Sequence, residues 1–596
     1  CMVRAPGIRV IVLLTGCFLL FFGCSRNKKQ ESEVAVRGWN ILSDNEPNAR
    51  RVIDVATTDY DINHIQFSHQ LVNQLKDVRP AGRAELVNRL AAYAHEKGIQ
   101  EVFVWDQALY DVGYYPEAFR LTIDGQQRLD LDNPDLWRWI RADYRSMLML
   151  VPEIDGVVLN FMDAPGKIAE QFSQRLPDGP SKVAAVIDSL ARIFIDRHNL
   201  DLLIRAAVSD TRDFSLLVNA VRKLRHPAIK VMVTEAEQAF LLTHPLSTVS
   251  DSIRKYPIIV EFDAAHEYNG QGILASMLPE VHLKRWKEYL SEPNIEGYVA
   301  RTDRFYQSTI IDGPCEINLY ALKRASDDPW MSIDKVYREF VSRKYGEKAG
   351  PYVEPAFRKS QDIITSMMYT LGLPVASHLT MSFTNEASYI SLNPGKWQRS
   401  MEYTVEHDVN KTFHYWQDVT NHLAPREFKQ PNSATAVEIP NVFENGWLDD
   451  RELMNVEYLR NIVAEKDYAV RVAQSALEDV LQAKPHITNA EHYSKLIETM
   501  RRTEMAARLY RGSAKAYFAY RIYARGGEFR TPEVVYMLQD GLDEIAAVSR
   551  EMTLYPYKGP HAEFDFLGLA TSALALRQSI MDELGAGPRI LNMNGQ

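Results

Sequence analysis

The chain has 596 residues, 46% hydrophobic and 24% charged, the ordinary proportions of a globular protein with room for two or three packed domains. Its formal charge of −10 argues against a nucleic-acid partner, which would need a basic face to meet phosphates. The histidines fall in no HxH or HExxH spacing, and Cys315 is the one cysteine beyond the first 24 residues, so neither a zinc centre nor an internal disulfide is expected.

The first element is a targeting segment. Arg4 and Arg9 precede an apolar run, Val10 to Phe22, which closes as Phe21-Phe22-Gly23-Cys24. The run is short for a spanning helix. It resembles a bacterial lipoprotein signal over 1–24, which implies an exported chain anchored to a membrane of the cell envelope by lipid on Cys24. Residues 25–35 then read as a polar tether.

Between 36 and 345, short apolar runs alternate with amphipathic stretches. Strands are predicted at Val36–Leu42, His64–Ser68, Gln100–Trp105, Asp155–Phe161, Asp201–Val208, Ile229–Thr234, Pro257–Phe262 and Glu296–Arg301. Helices are predicted at Arg83–Glu96, Asn133–Leu150, Ser181–His198, Phe214–Leu224 and Pro279–Leu290. Asn133-Pro134 is a strong helix start, because proline tolerates the first turn. Eight strands with crossovers in this span predict an α/β fold of the (β/α)8 TIM-barrel class. A doubly wound sheet is the competitor, but no glycine-rich phosphate loop follows the first strand.

Beyond the barrel the texture becomes helical, and 346–596 reads as an α-helical C-terminal domain. Its helical runs are Glu354–Met368, Asp450–Leu481, Ala490–Arg525 and Pro532–Met552, and Met331–Lys344 precedes them. A stretch rich in Asn, Pro and Ser, from Ser382 to Glu444, reads as long loops, some reaching over the barrel mouth.

A barrel of this class places its active site at the carboxyl ends of its strands. The first strand delivers Trp39 and Asn40, the third Trp105 and Asp106, the fourth Asn160 and then Asp163. The fifth delivers Arg205, the sixth Glu235 and Glu237, and the eighth Arg301. The seventh is the densest: in YPIIVEFDAAHEYNGQG an apolar run empties into Glu261, Asp263, His266 and Glu267. Carboxylates gathered this way suit acid/base cleavage of a glycosidic bond, which needs one acid at the leaving oxygen and a second carboxylate opposite. Arg205 and Arg301 suit a substrate carboxylate or an internal ion pair; Trp39 and Trp105 suit a sugar face or the core.

The segment VEFDAAHEYNGQG resembles part of glycoside hydrolase family 67, the α-glucuronidases. The resemblance implies that Glu267 is a catalytic carboxylate supported by Glu261. IKVMVTEAEQAFLLTHPL lies where that family carries a second base, which points to Glu235 or Glu237 without choosing. The family's general acid is a glutamate after the fourth strand, where this chain has Asp163. The expectation is therefore an inverting hydrolase of a uronic-acid-containing oligosaccharide, needing no cofactor. Asp163, Glu267 and Glu235 would be catalytic, and the remaining strand-end residues would bind substrate. The alternative is a carbohydrate-binding lipoprotein on a barrel that has lost catalysis.

Overall fold

The computed structural model describes residues 34–207, 211–236, 240, 242, 246–247, 249–304, 309–370, 373–374, 376–377, 380–381, 456–556 and 560–585. The targeting segment with Cys24, almost all of the tether, Glu237 and the loop-rich stretch from Ser382 to Glu444 lie outside the described residues. Among the described residues, no helix is long and apolar enough to cross a membrane.

Eight parallel strands close into a barrel: β1 (Val36–Ile41), β2 (His64–Phe67), β3 (Glu101–Gln107), β4 (Gly156–Asn160), β5 (Asp201–Ala206), β6 (Lys230–Thr234), β7 (Ile258–Phe262) and β8 (Ile295–Arg301). Each pairs with its sequence neighbours, and β8 returns to β1 through the register Arg301↔Asn40. Buried on both faces, such strands need apolar residues throughout, which is why the sequence shows runs rather than alternation. The fold class is a (β/α)8 barrel. Its interior is filled by Val36, Phe103, Trp105, Val158, Leu203, Met232, Ile259 and Val299. Gly156 belongs to this interior set, and any Cβ there would run into the Phe103 ring.

The crossovers are α1 (Glu46–Asp59), α2 (Arg83–Glu96), α3 (Pro134–Leu148), α4 (Gly179–Ala191), α5 (Thr211–Lys223), the single turn α6 (Val249–Ser252), α7 (Pro279–Tyr289) and α8 (Ile317–Asp327). Asn133 caps α3, its side chain accepting from Asp135 N at 2.9 Å with Pro134 in the first turn. Two departures from the sequence reading stand out here. Helix α1 is not expected from the sequence, and a hairpin (Arg120–Ile123 with Gln126–Leu129) interrupts the third crossover. The hairpin turns on Asp124 and Gly125, both at positive φ (52° and 76°), the pair a tight two-residue turn requires.

Downstream lie α9 (Ile333–Tyr345), α10 (Gly350–Arg358), α11 (Ser360–Met368), α12 (Val456–Ala483), α13 (Ala490–Tyr523), α14 (Pro532–Leu554) and α15 (Pro560–Glu583). The single helix expected over Glu354–Met368 is two, broken at Lys359. Helix α13 packs against α12 and α14, with Gly541 letting α14 approach the α13 backbone beside Ala516 and Gly512. It also reaches the barrel. Thr503 Oγ1 accepts from Ala275 N at 2.8 Å, and Arg502 Nε donates to Ile273 O at 3.1 Å. Asn318 on α8 holds the other side of this loop, donating to Ala264 O (3.0 Å) and Ser276 O (2.9 Å). The loop after β7, which carries Glu267, is thus fastened from two directions.

Candidate active site

Strand register decides which side chains meet at the mouth. Pairings Gln107↔Asn160, Asn160↔Arg205 and Arg301↔Asn40 put these residues on the inward face at the carboxyl ends of their strands, and Thr234↔Glu261 adds another inward pair. Side chains one position away face the surrounding helices instead.

Glu261 sits at the centre of the charged part of this inward face. Its Oε2 accepts from Arg205 Nε at 2.7 Å, and its Oε1 accepts from Arg301 Nε at 2.9 Å and lies 2.8 Å from Arg301 Nη2. Burial alone would raise its pKa; the two guanidiniums override that and hold it below the ordinary carboxylate value. Arg301 Nη1 continues to Glu267 Oε2 at 2.9 Å, and Arg304 Nη2 meets Glu267 Oε1 at 2.7 Å. On the other side, Arg205 Nη1 lies 3.8 Å from Asp163 Oδ2. Six alternating charges therefore run Asp163–Arg205–Glu261–Arg301–Glu267–Arg304 across the mouth. The two outer acids differ: the Asp163 side chain is 57% exposed, that of Glu267 only 13%.

Asp263 lies behind Glu267 and accepts from its backbone N–H; burial pushes the Asp263 carboxyl up to about 6. Asp303 accepts from Leu42 N (2.8 Å) and Ser43 N (2.9 Å), stitching β8 to β1, and burial pushes it up to about 7. Trp105 donates to Gln66 Oε1 at 3.0 Å, with the Arg205 guanidinium 5.1 Å from its ring centre. Arg301 lies 4.7 Å from the Phe240 ring in the same way.

The structure thus brings Asp163, Arg205, Glu261, Asp263, Glu267 and Arg301 together, with Trp105, Asn40 and Asn160 on the same inward face. Four expected positions are corrected. Trp39 is fully buried on the outer face of β1, tilted against Tyr60 at 4.9 Å. Asp106 also points outward and accepts from Tyr110 and Tyr144 hydroxyls, each at 2.8 Å, and burial lifts it to about 6. Glu235 faces α7, where Arg285 Nη1 meets its Oε2 at 3.0 Å, while its Oε1 accepts from Asp263 N at 3.1 Å. His266 turns to His282 of α7, Nε2 to Nε2 at 3.1 Å, and burial drives its pKa well below the ordinary value. For Trp39, Asp106 and Glu235 alternation sends the side chain to the helix side rather than the mouth, whereas His266 is turned there by the loop after β7, where its φ is 54°. Glu237 lies outside the described residues.

Sequence reasoning does not single out Arg304, Phe240 or Gln107 for the site. Gln107 carries a signal, being two residues past Trp105 and so on the same face. Arg304 follows the last strand in irregular chain, where no period points to it.

No family model matches the sequence, and no curated protein matches it. Among solved structures the chain is similar to an O-GlcNAc hydrolase mutant of Thermobaculum terrenum, at 9% identity over 92% of this chain and 96% of that one, TM-score 0.42. It is also similar to a family GH115 4-O-methyl-α-glucuronidase, at 11% identity over 90% of this chain and 60% of that one, TM-score 0.45. A third likeness is to a GH30 endoxylanase of Clostridium papyrosolvens, at 10% identity over 50% of this chain and 73% of that one, TM-score 0.33. These likenesses concern the course of the chain; the barrel assignment rests on the strand pairing above.

Proposed function

We propose that this barrel is a glycoside hydrolase of the α-glucuronidase-like type, cleaving an oligosaccharide that carries a uronic acid, with inversion. The observation that carries the reading is the run of alternating charges across the mouth, with one open acid, Asp163, at one end and one recessed acid, Glu267, held between Arg301 and Arg304 towards the other. Asp163 gives its proton to the glycosidic oxygen as the carbon–oxygen bond breaks. Glu267 takes a proton from the water whose oxygen bonds to the anomeric carbon from the opposite face. Glu261 neutralises Arg205 and Arg301 and fixes their planes, so that Arg205 is positioned to meet a substrate carboxylate. Glu235 acts only through structure, holding the backbone of Asp263. Lipid on Cys24 would keep the enzyme at the bacterial cell envelope, near polysaccharide fragments.

Asp163→Asn and Glu267→Gln, assayed on a panel of uronic-acid oligosaccharides, test the reading. Each is expected to lower kcat about 10²–10⁴-fold with binding retained. Turnover by both variants at the parent rate refutes it. A second reading is favoured by one contact pattern: both Glu267 oxygens are engaged by arginines, as in a purely structural pair. Under that reading the parent binds the sugar and releases no product, and lipidated protein remains a carbohydrate-binding module.

A further inference from the structure

The inward face is divided. From β5 round to β8 it carries the charges, whereas β1 to β4 present neutral amides: Asn40, Gln66, Gln107 and Asn160. Gln66 is committed, its Oε1 to the Trp105 indole and its nitrogen to His64 Nε2 at 3.1 Å. Gln107 and Asn160 are not. Among the described residues, the buried atoms Gln107 Oε1 and Asn160 Oδ1 have no hydrogen-bond partner. The residues keep only 7% and 6% of their surface, so bulk water does not compensate them. Buried amides without partners destabilise a fold, and native proteins rarely carry two side by side without a use for them. These two are direct register partners on β3 and β4, and Asn160 is in turn the register partner of Arg205. Trp105 lies one layer beneath Gln107 on the same face of β3.

We infer that Gln107 and Asn160 form a subsite for the neutral hydroxyls of a sugar ring, placed so that the ring's anionic substituent reaches Arg205. The chemistry matches: an amide offers both donors and an acceptor, as each hydroxyl does, and rotation of the amide exchanges the end presented. A cationic side chain in either position would favour an anion over a hydroxyl pair; an aliphatic one would favour neither. The inference rests on the sugar reading of the mouth but not on hydrolysis.

The test uses Gln107→Met and Asn160→Leu, close in volume to the originals, in the full chain. Binding of D-glucuronic acid, D-glucose and the monodeoxy-D-glucoses is titrated by ligand-observed NMR, and melting is followed without sugar. The subsite predicts that both variants melt at or above the parent temperature while glucuronate affinity falls about ten- to a hundredfold. It also predicts that the parent loses affinity for one deoxyglucose that Asn160→Leu does not distinguish from glucose. Lower melting temperatures with parent-like affinity overturn the subsite, because the amides then serve the fold. Absence of sugar binding by the parent overturns it as well. Sugar binding that depends on both amides, without any hydrolysis, leaves the subsite standing and removes the catalytic reading. Hydrolysis that is indifferent to both substitutions does the reverse.

Discussion

Substituting Glu261 by glutamine probes the centre of the run of alternating charges. The carboxylate is fully buried and receives Arg205 Nε at 2.7 Å, Arg301 Nε at 2.9 Å and Arg301 Nη2 at 2.8 Å. A glutamine carbonyl keeps part of this geometry but none of the charge, and its NH2 group faces a guanidinium, donor against donor. Arg205 and Arg301 have side chains only 8% and 4% exposed, so solvent does little to replace the lost anion. Breaking a buried pair of this kind costs about 3–5 kcal/mol, an increase of about two to nearly four orders of magnitude in the unfolded fraction. Urea titration followed by tryptophan fluorescence reads the loss directly, with Arg205 near the Trp105 ring as an internal reporter. Adding Arg205→Met to Glu261→Gln should recover part of the loss, since one buried cation is removed with its missing partner. The pH sign is also set. The folded Glu261 pKa is depressed, so its contribution is present above the unfolded carboxyl pKa of about 4.3 and is lost as pH falls through the folded value. The gap between parent and variant therefore narrows in acid. A loss below about 1 kcal/mol, or a double variant whose losses simply add, refutes the view that Glu261 organises the mouth.

Asp303→Asn tests the buried carboxyl that joins β8 to β1. Its folded pKa is raised to about 7, so the parent loses stability relative to the variant as pH rises from about 4 through 7, with a level difference above; a pH-independent difference in urea midpoints contradicts the assignment. Lys466→Met tests the anchor of α12. The fully buried ammonium donates to Ser366 O at 2.6 Å, to Tyr369 O and to Glu465 Oε1 at 2.8 Å, and burial lowers its pKa. The substitution should cost about 3–5 kcal/mol and raise hydrogen exchange at the α11 terminus; unchanged exchange there would show that the carbonyls find other donors.

The barrel was legible because its strands are buried on both faces and therefore run apolar, so their number and limits emerge within about two residues. The mouth was legible only in part, for a reason of parity. Distance from a strand end predicts proximity to the rim, but alternation decides between lumen and helix layer, and the two criteria disagree by one residue. Asn40 and Trp39 are neighbours in sequence, yet Asn40 faces the lumen and Trp39 packs on Tyr60. Asp106 against Trp105 repeats the lesson, with a tyrosine pair waiting on the helix side. Glu235 could have been assigned outward by counting from Met232, a core residue of the same strand. The hairpin carried its signal in Asp124-Gly125, whereas Arg304 had none, because a side chain in irregular chain is placed by tertiary contacts alone.

Proton NMR of the first product anomer released from an α-linked uronic-acid oligosaccharide bears most directly on the central claim, that Asp163 and Glu267 act from opposite sides of one mouth. Inversion predicts the β-anomer first, before mutarotation, and no signal from Asp163→Asn or Glu267→Gln over the same interval. Release of the α-anomer by the parent, or of either anomer at the parent rate by those variants, contradicts it.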